Sequence, residues 1–375
     1  MKEHKSRILF VVDKPDWAYE FMVKTWVELI SDNYDCYVCF QEDYAVKKNK
    51  NKSVAYRLVF NKLARIKFIL KNKTDESKIS FISKNLNYYY PVYKKNKVYQ
   101  YDKDLNRIPT PNISEFDAIV EMAFYFQYIS EFPFKSERKL VGIFTDSFPH
   151  DGPTEDLKQN IDRSKLSRED FYNKYLASYN HIIVGGGNLL KDYQPLTSDV
   201  TFVYGIYGQS YFKENPEVGE NSYLTIGWTG SPKRPMKGFE AIILPAIEEV
   251  QKTGRDVRLK TKFSGDYEEL YSFYEDVDLI VIASNADSGP SLYAEASLSA
   301  VPTVSTKVGL PLMGINNGIN GLFINRDTNS LKDAIIQLYD NPILLKSMSE
   351  RVKSDYLEWM DNQKTVHHFL KALNS

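Results

Sequence analysis

Cysteine is nearly missing from this chain of 375 residues: there are two, Cys36 and Cys39, in one C-x-x-C pair. With no second pair, a four-ligand zinc set cannot be completed from cysteine. A redox pair would need a helix N-terminus, where the dipole lowers a thiol pKa. Here the pair lies in Asp35-Cys-Tyr-Val-Cys-Phe40, which reads as a strand, so the thiols point to opposite faces and serve as core packing. An excess of one charge is missing too. The chain has 48 Lys and Arg against 49 Asp and Glu, so no global attraction to nucleic acid is expected. No apolar run approaches the roughly 18 residues that span a bilayer. Met1-Lys-Glu-His-Lys-Ser-Arg7 runs straight into the strand Ile8–Val12 without a signal-peptide pattern, which predicts a cytoplasmic location. The loop that follows, Asp13-Lys-Pro-Asp-Trp17, is glycine-poor and argues against a G-x-G-x-x-G dinucleotide fingerprint.

What is present is a rhythm. Apolar runs at 7–12, 36–40, 118–123, 140–144, 181–185 and 200–204 read as strands of a first domain. A second set follows at 223–227, 258–263, 278–283, 302–305 and 321–324. Amphipathic stretches intervene, such as Phe239–Val250, and such alternation predicts parallel sheets with helices on both faces. Ligands of this architecture bind at the carboxyl ends of strands and, with two domains, between them. The expected division is 1–207, a linker at 208–221, 222–355, and a final segment 356–375 carrying a helix near 361–373. Tyrosine is abundant, with 27 residues, which suits hydroxyl-rich ligands.

The densest signal is Ala283-Ser-Asn-Ala-Asp-Ser-Gly-Pro-Ser-Leu-Tyr-Ala-Glu295-Ala, followed by Val301-Pro-Thr-Val304. It reads as a buried strand at Leu279–Ile282, a Gly-containing turn, and a helix N-terminus, an arrangement that aims backbone N–H groups at an anion. Asp287 and Glu295 stand eight positions apart around Gly289-Pro290. This segment resembles the carboxylate-x7-carboxylate signature of retaining GT-B glycosyltransferases of family 4, with Asp in place of the first Glu and the Gly and Pro positions rearranged. Ile226-Gly-Trp-Thr-Gly-Ser-Pro-Lys-Arg-Pro-Met-Lys-Gly-Phe239 is similar to that family's glycine turn and basic pair. Phe273-Tyr-Glu-Asp-Val-Asp278, Asn317-Gly-Ile-Asn-Gly-Leu-Phe-Ile324 and Tyr356-Leu-Glu-Trp359 match further landmarks, so the good match spans about residues 222–360.

The resemblance implies a GT-B fold: two Rossmann-like domains whose parallel sheets face across a cleft, with a C-terminal helix crossing back to the first. It implies a nucleoside-diphosphate sugar as donor, UDP favoured over GDP, and no other cofactor. Lys237 is the first candidate for the diphosphate, Arg234 the second and Lys233 the third; a solvated basic turn is the plain alternative. Gly230, Gly289 and the N–H groups of Ser291 and Leu292 complete the donor side. Glu295 would accept ribose hydroxyls, and Asp287 would face the donor sugar, unless Asp287 or Ser288 merely caps the helix. Asp146 and His150, after the strand Val141–Phe144, share the place of the family's His-Asp; Thr145 stands where its His is expected. Asp16 and Trp17 are acceptor-side candidates, and Val184-Gly-Gly-Gly-Asn188 is either a close approach to ligand or a tight turn. No metal is required, since cationic side chains can take an ion's place at the diphosphate.

One segment stands apart. From Lys47 to Lys73 there are ten Lys or Arg and no Asp or Glu, interleaved with apolar residues. It reads as a basic amphipathic helix, suited to an anionic membrane surface, which would make the protein peripheral at the inner face of the cell membrane. The resulting expectation is a retaining, metal-independent transferase building a surface glycan or lipid-linked saccharide. A silent GT-B subunit that binds a partner, and a sugar-nucleotide epimerase, are the alternatives.

Overall fold

A computed structural model describes residues 5–40, 97–110, 113–122, 134–144 and 167–375. The chain divides into two compact units, Met1–Glu20 with Ser31–Arg138, and Phe21–Ile30 with Lys139–Ser375.

In the first unit, β1 (Ser6–Val12), β2 (Tyr34–Phe40), β3 (Tyr99–Tyr101), β4 (Arg107–Pro109) and β5 (Ala118–Glu121) lie in the order β4-β3-β2-β1-β5. β1 pairs in parallel with both β2 and β5, while β3 and β4 add an antiparallel edge. β1 and β5 are apolar runs because a central parallel strand is covered on both faces. Leu9, Val11, Tyr37, Cys39, Val98, Phe116, Ile119 and Phe134 form one core cluster. Cys39 belongs to it and Cys36 does not, as alternation along β2 predicts; both are buried and neither is in a disulfide. Burial pushes the Cys36 thiol up to about 12, which leaves it inert. The hairpin of β3 and β4 escaped the sequence reading because each strand is three residues long, too short to show a period.

Helix α1 (Ala18–Ile30) follows β1. In the second unit β6 (Arg138–Ile143), β7 (His181–Val184) and β8 (Val200–Phe202) pair in parallel, with α2 (Gly187–Tyr193) between the last two. A separate five-stranded sheet contains β9 (Leu224–Thr229), β10 (Val257–Lys262), β11 (Leu279–Ile282), β12 (Thr303–Ser305) and β13 (Gly321–Phe323). All of its pairs are parallel, in the order β10-β9-β11-β12-β13. Its connections include α3 (Leu244–Lys252), α4 (Ser291–Leu298), α5 (Gly309–Gly314) and α6 (Thr328–Tyr339). The stretch Phe239–Val250 forms a helix as expected, but it opens on a wide π-type turn over Phe239–Ile243 before α3 begins.

The chain ends in α7 (Pro342–Met360) and α8 (Asn362–Asn374). α8 returns to pack on β7 and β8, and its Phe369 stacks on Trp26 of α1 at 4.7 Å. The return is pinned where it begins. The Asn362 amide accepts from the Ile206 N–H at 3.1 Å and donates to the Ile206 carbonyl at 2.8 Å, a side chain behaving as a strand partner. Among the described residues no helix is long and apolar enough to cross a membrane.

Candidate functional site

The strand orders locate the crevices. In the second sheet β9 lies between β10 and β11, so the connections leaving β9 and β11 diverge at their carboxyl ends. Such a switch point opens a crevice by topology alone. The two loops there are Gly230–Gly238 and Ala283–Pro290, which carry Lys237 and Asp287.

Those two side chains meet: the Lys237 ammonium is ion-paired and hydrogen-bonded to the Asp287 carboxylate. Both are largely buried, at 21 % and 14 % exposure, so Lys237 is not a solvated surface lysine. Lys233 and Arg234 are exposed, and Arg234 reaches the Met236 sulfur at 3.2 Å. Gly230 follows β9 directly, and its N–H donates to Lys262 O at 3.1 Å.

The loops are joined by backbone. Asn285 N–H donates to Met236 O at 3.0 Å. Gly238 has φ of +70°, and a Cβ there would stand 2.6 Å from Ala283 O, so the approach excludes a side chain twice over. The Arg326 guanidinium, from the loop after β13, donates to Ala283 O at 3.0 Å and to Pro235 O at 3.2 Å. Arg326 was not foreseen, since a lone arginine past a strand gives no spacing signal.

Asp287, Ser288 and Gly289 are gripped from the other side. A Cβ on Gly309 would overlap the carbonyls of Asp287 and Ser288, and one on Gly186 would overlap the Ser288 carbonyl. Tyr204 Oη donates to Gly289 O at 3.0 Å. The glycine run after β7 thus brings backbone close to the signature loop itself. Neither Asp287 nor Ser288 caps α4: Pro290 holds the N-cap position and no side chain bonds the helix start. The N–H groups of Ser291 and Leu292 belong to the first turn, whose donors have no acceptor within the helix.

Glu295 sits one turn into α4, a helix buried from Leu292 to Leu298. Only 1 % of it is exposed, and Tyr274 Oη donates to Oε2 at 2.6 Å. Ser291 hydrogen-bonds the same carboxylate, and Thr229 in turn hydrogen-bonds Tyr274. Burial raises the Glu295 pKa, while the bonds from Tyr274 and Ser291 oppose the rise. Burial, with the Glu295 charge adding to it, holds Tyr204, Tyr267, Tyr274 and Tyr356 well above the ordinary phenol range. The setting is therefore a desolvated carboxylate that accepts from two neutral hydroxyls, those of Tyr274 and Ser291.

The first unit has its own switch point, between β1 and β5. Asp16 and Trp17 lie in the loop leaving β1. Asp16 has φ of +53°, its N–H donates to Glu20 Oε2 at 2.6 Å, and its carboxylate accepts from Arg107 at 2.9 Å. Glu20, fully buried, also accepts from Arg107 at 3.2 Å and from Tyr101 Oη at 2.9 Å. The unforeseen β3–β4 hairpin supplies both Arg107 and Tyr101. Trp17 is 52 % exposed, with the Lys14 ammonium 3.5 Å from its ring centroid.

Asp146, His150 and the basic segment 47–73 lie outside the described residues. Among those described, no cluster of three His, Cys, Asp or Glu could hold a metal ion. Two Asp-x-Asp spacings are engaged elsewhere. Asp102 accepts from Asp104 and Asn106 in a turn; Asp276 pairs with Lys260, and Asp278 accepts from Thr225 N–H at 2.7 Å.

Residues 225–341 match the sequence model of the family described as glycosyl transferases group 1. Among curated proteins, none matches the chain. Solved structures with the GT-B fold do. A TarM variant of S. aureus, in complex with fondaparinux, alpha-GlcNAc-glycerol and UDP, is 13 % identical with a TM-score of 0.61, over 99 % of this chain and 100 % of that one. HepE of Anabaena, in complex with UDP and glucose, is 11 % identical with a TM-score of 0.59, over 99 % and 100 %. Sucrose-phosphate synthase of Thermosynechococcus elongatus is 10 % identical with a TM-score of 0.60, over 98 % of each. The chain therefore has the α/β fold of the GT-B glycosyltransferases, built on parallel sheets.

Proposed function

We propose that this chain is a retaining, metal-independent glycosyltransferase that moves a hexose-type sugar from a nucleoside diphosphate to an acceptor hydroxyl. The observation that carries this reading is the Lys237–Asp287 pair, held at the switch point of the second sheet beside the start of α4. The group 1 match over 225–341 covers both loops and α4, and supports it. UDP is the favoured nucleotide: HepE was solved with UDP-glucose and the TarM variant with UDP.

The roles follow from charge. A departing diphosphate gathers negative charge, so donors aimed at it lower the barrier most. An ammonium has three N–H donors, so Lys237 can hold Asp287 with one and turn the others to phosphate oxygens. The first-turn N–H groups of α4 face the same anion, and Arg234 adds charge at the rim. Asp287 keeps acceptor capacity for sugar hydroxyls, and Glu295 takes the ribose hydroxyls in the desolvated setting described above. In a front-face reaction the anomeric C–O bond to the diphosphate breaks, the acceptor oxygen bonds the same face, and its proton passes to the diphosphate. Asp16 and Trp17 are assigned to the acceptor, with Asp146 or His150 at the reacting centre. The acceptor is a surface glycan or lipid-linked saccharide, and the basic segment 47–73 meets an anionic membrane from the cytoplasm.

Calorimetric titration with UDP, GDP and ADP tests the donor site. One diphosphate is expected to bind, with Glu295→Ala and Lys237→Ala each weakening it. Folded protein that binds none of the three overturns the reading. NMR of the product's anomeric configuration then checks retention.

A further inference from the structure

We infer that Arg326 is a positioning residue for the diphosphate-binding lysine, an inference that rests on the donor-site reading above. Lys237 ends a short turn, Pro235–Lys237, which has no regular hydrogen-bonding partner strand of its own. Its usefulness depends on where that turn stands relative to the loop bearing Asp287. A lysine side chain has four torsions, so a backbone shift under it is easily lost in rotamer freedom.

Arg326 removes that freedom with one planar group. Its Nε donates to Ala283 O, the first residue past β11, at 3.0 Å. Its Nη2 donates to Pro235 O, the first residue of the lysine turn, at 3.2 Å. Two donors at fixed separation thereby set the distance between the two loops, which a lysine with a single mobile nitrogen cannot do. The anchor is itself rigid. Asp327, the next residue, caps α6 by accepting from Ser330 N–H at 2.8 Å, so the arginine projects from a fixed helix start. The Asn285–Met236 backbone bond and the Gly238 contact join the same loops. Arg326 differs from them in coming from the end of a third strand, β13, and so ties the loops after β9 and β11 to a separate part of the sheet.

The test is a double-mutant cycle read by titration with UDP and with inorganic pyrophosphate. Lys237→Ala is expected to weaken UDP by about 30-fold and Arg326→Ala by about tenfold, the scale of lost charge-assisted hydrogen bonds. If Arg326 acts through Lys237, the double variant binds within about twofold of Lys237→Ala alone. Pyrophosphate should repeat the pattern without the base or ribose. Effects that multiply in the double variant overturn the inference and leave the donor-site reading intact. Wild-type affinity in Lys237→Ala removes the donor-site reading itself. Should Arg326→Ala fail to fold, Arg326→Lys keeps the stem and one donor. It is expected to lose most of the same affinity while melting near wild type, and wild-type affinity in that variant overturns the proposal.

Discussion

The two switch points of this chain solve one problem with different materials. At the second sheet, Asp287 and Ser288 are held mainly by other backbone: Gly186 and Gly309 press against their carbonyls, and the neighbouring loop is joined through Gly238. At the first sheet, Asp16 is fixed by side chains, through Arg107 and Glu20, and Trp17 is left half open to solvent. A loop held by backbone contacts has one shape and accepts no added atoms. A loop held by ion pairs at a partly exposed surface can shift as its charges repair elsewhere. The first arrangement suits a ligand part that never varies, such as a diphosphate; the second suits a partner that differs from case to case.

Substitutions can break this contrast. The largest effect is expected from Gly309→Val, which places a branched side chain against two carbonyls at a φ of +35°. Overpacking and backbone strain together should remove about 3 kcal/mol or more, seen as a lower denaturant midpoint, with donor binding lost. A neutral result would mean that the loop yields, and the contrast fails. Next comes Asp287→Asn, which leaves Lys237 without its charge partner. About 1–3 kcal/mol of stability should go, with a larger proportional loss of turnover than of UDP affinity if Asp287 faces the sugar.

Glu295→Gln sharpens the contrast through pH. The folded protein raises the Glu295 pKa above its ordinary 4.5, so the folded state holds that proton more tightly than the unfolded one. Its contribution to stability is therefore most favourable at low pH, and falls as pH rises from about 4.5 through the folded pKa. Glu295→Gln should flatten that decline in urea melts across the acidic range. Asp278, raised by burial in the same direction, should leave a residual slope. The smallest effect is expected for Asp16→Ala. Its carboxylate is 58 % exposed, so the pair with Arg107 should contribute about 1 kcal/mol or less. Acceptor KM should move while UDP affinity stays at the wild-type value.

Much of this was legible in the sequence, for a physical reason. Strands covered on both faces are apolar runs, so the apolar stretches of β1, β7 and β11 announce themselves. Asp287 and Glu295 were singled out by the strand, glycine turn and helix start around them and by the resemblance to the family 4 signature. What stayed hidden is what depends on distant partners. Arg107 and Tyr101 matter only because a short hairpin carries them to Glu20. Arg326 matters only because the chain leaving β13 reaches past β12 to the loop after β11. The glycines after β7 were visible, but not that their neighbour would be the signature loop. That Lys237 and Asp287 would neutralise each other was equally out of reach, since charge patterns along a chain do not say which loops touch.

The placement of α8 has a consequence in time. Residues 362–374 cover β7 and β8 and cap the Trp26 ring with Phe369, yet they leave the ribosome long after the strands they cover. Until they arrive, an indole and a sheet face near the beginning of the second unit have no lid, so its folding cannot finish piecemeal as the chain emerges. A chain truncated just short of Asn362 should therefore be bound by chaperones that recognise exposed apolar surface, and the chain that includes α8 should be released from them.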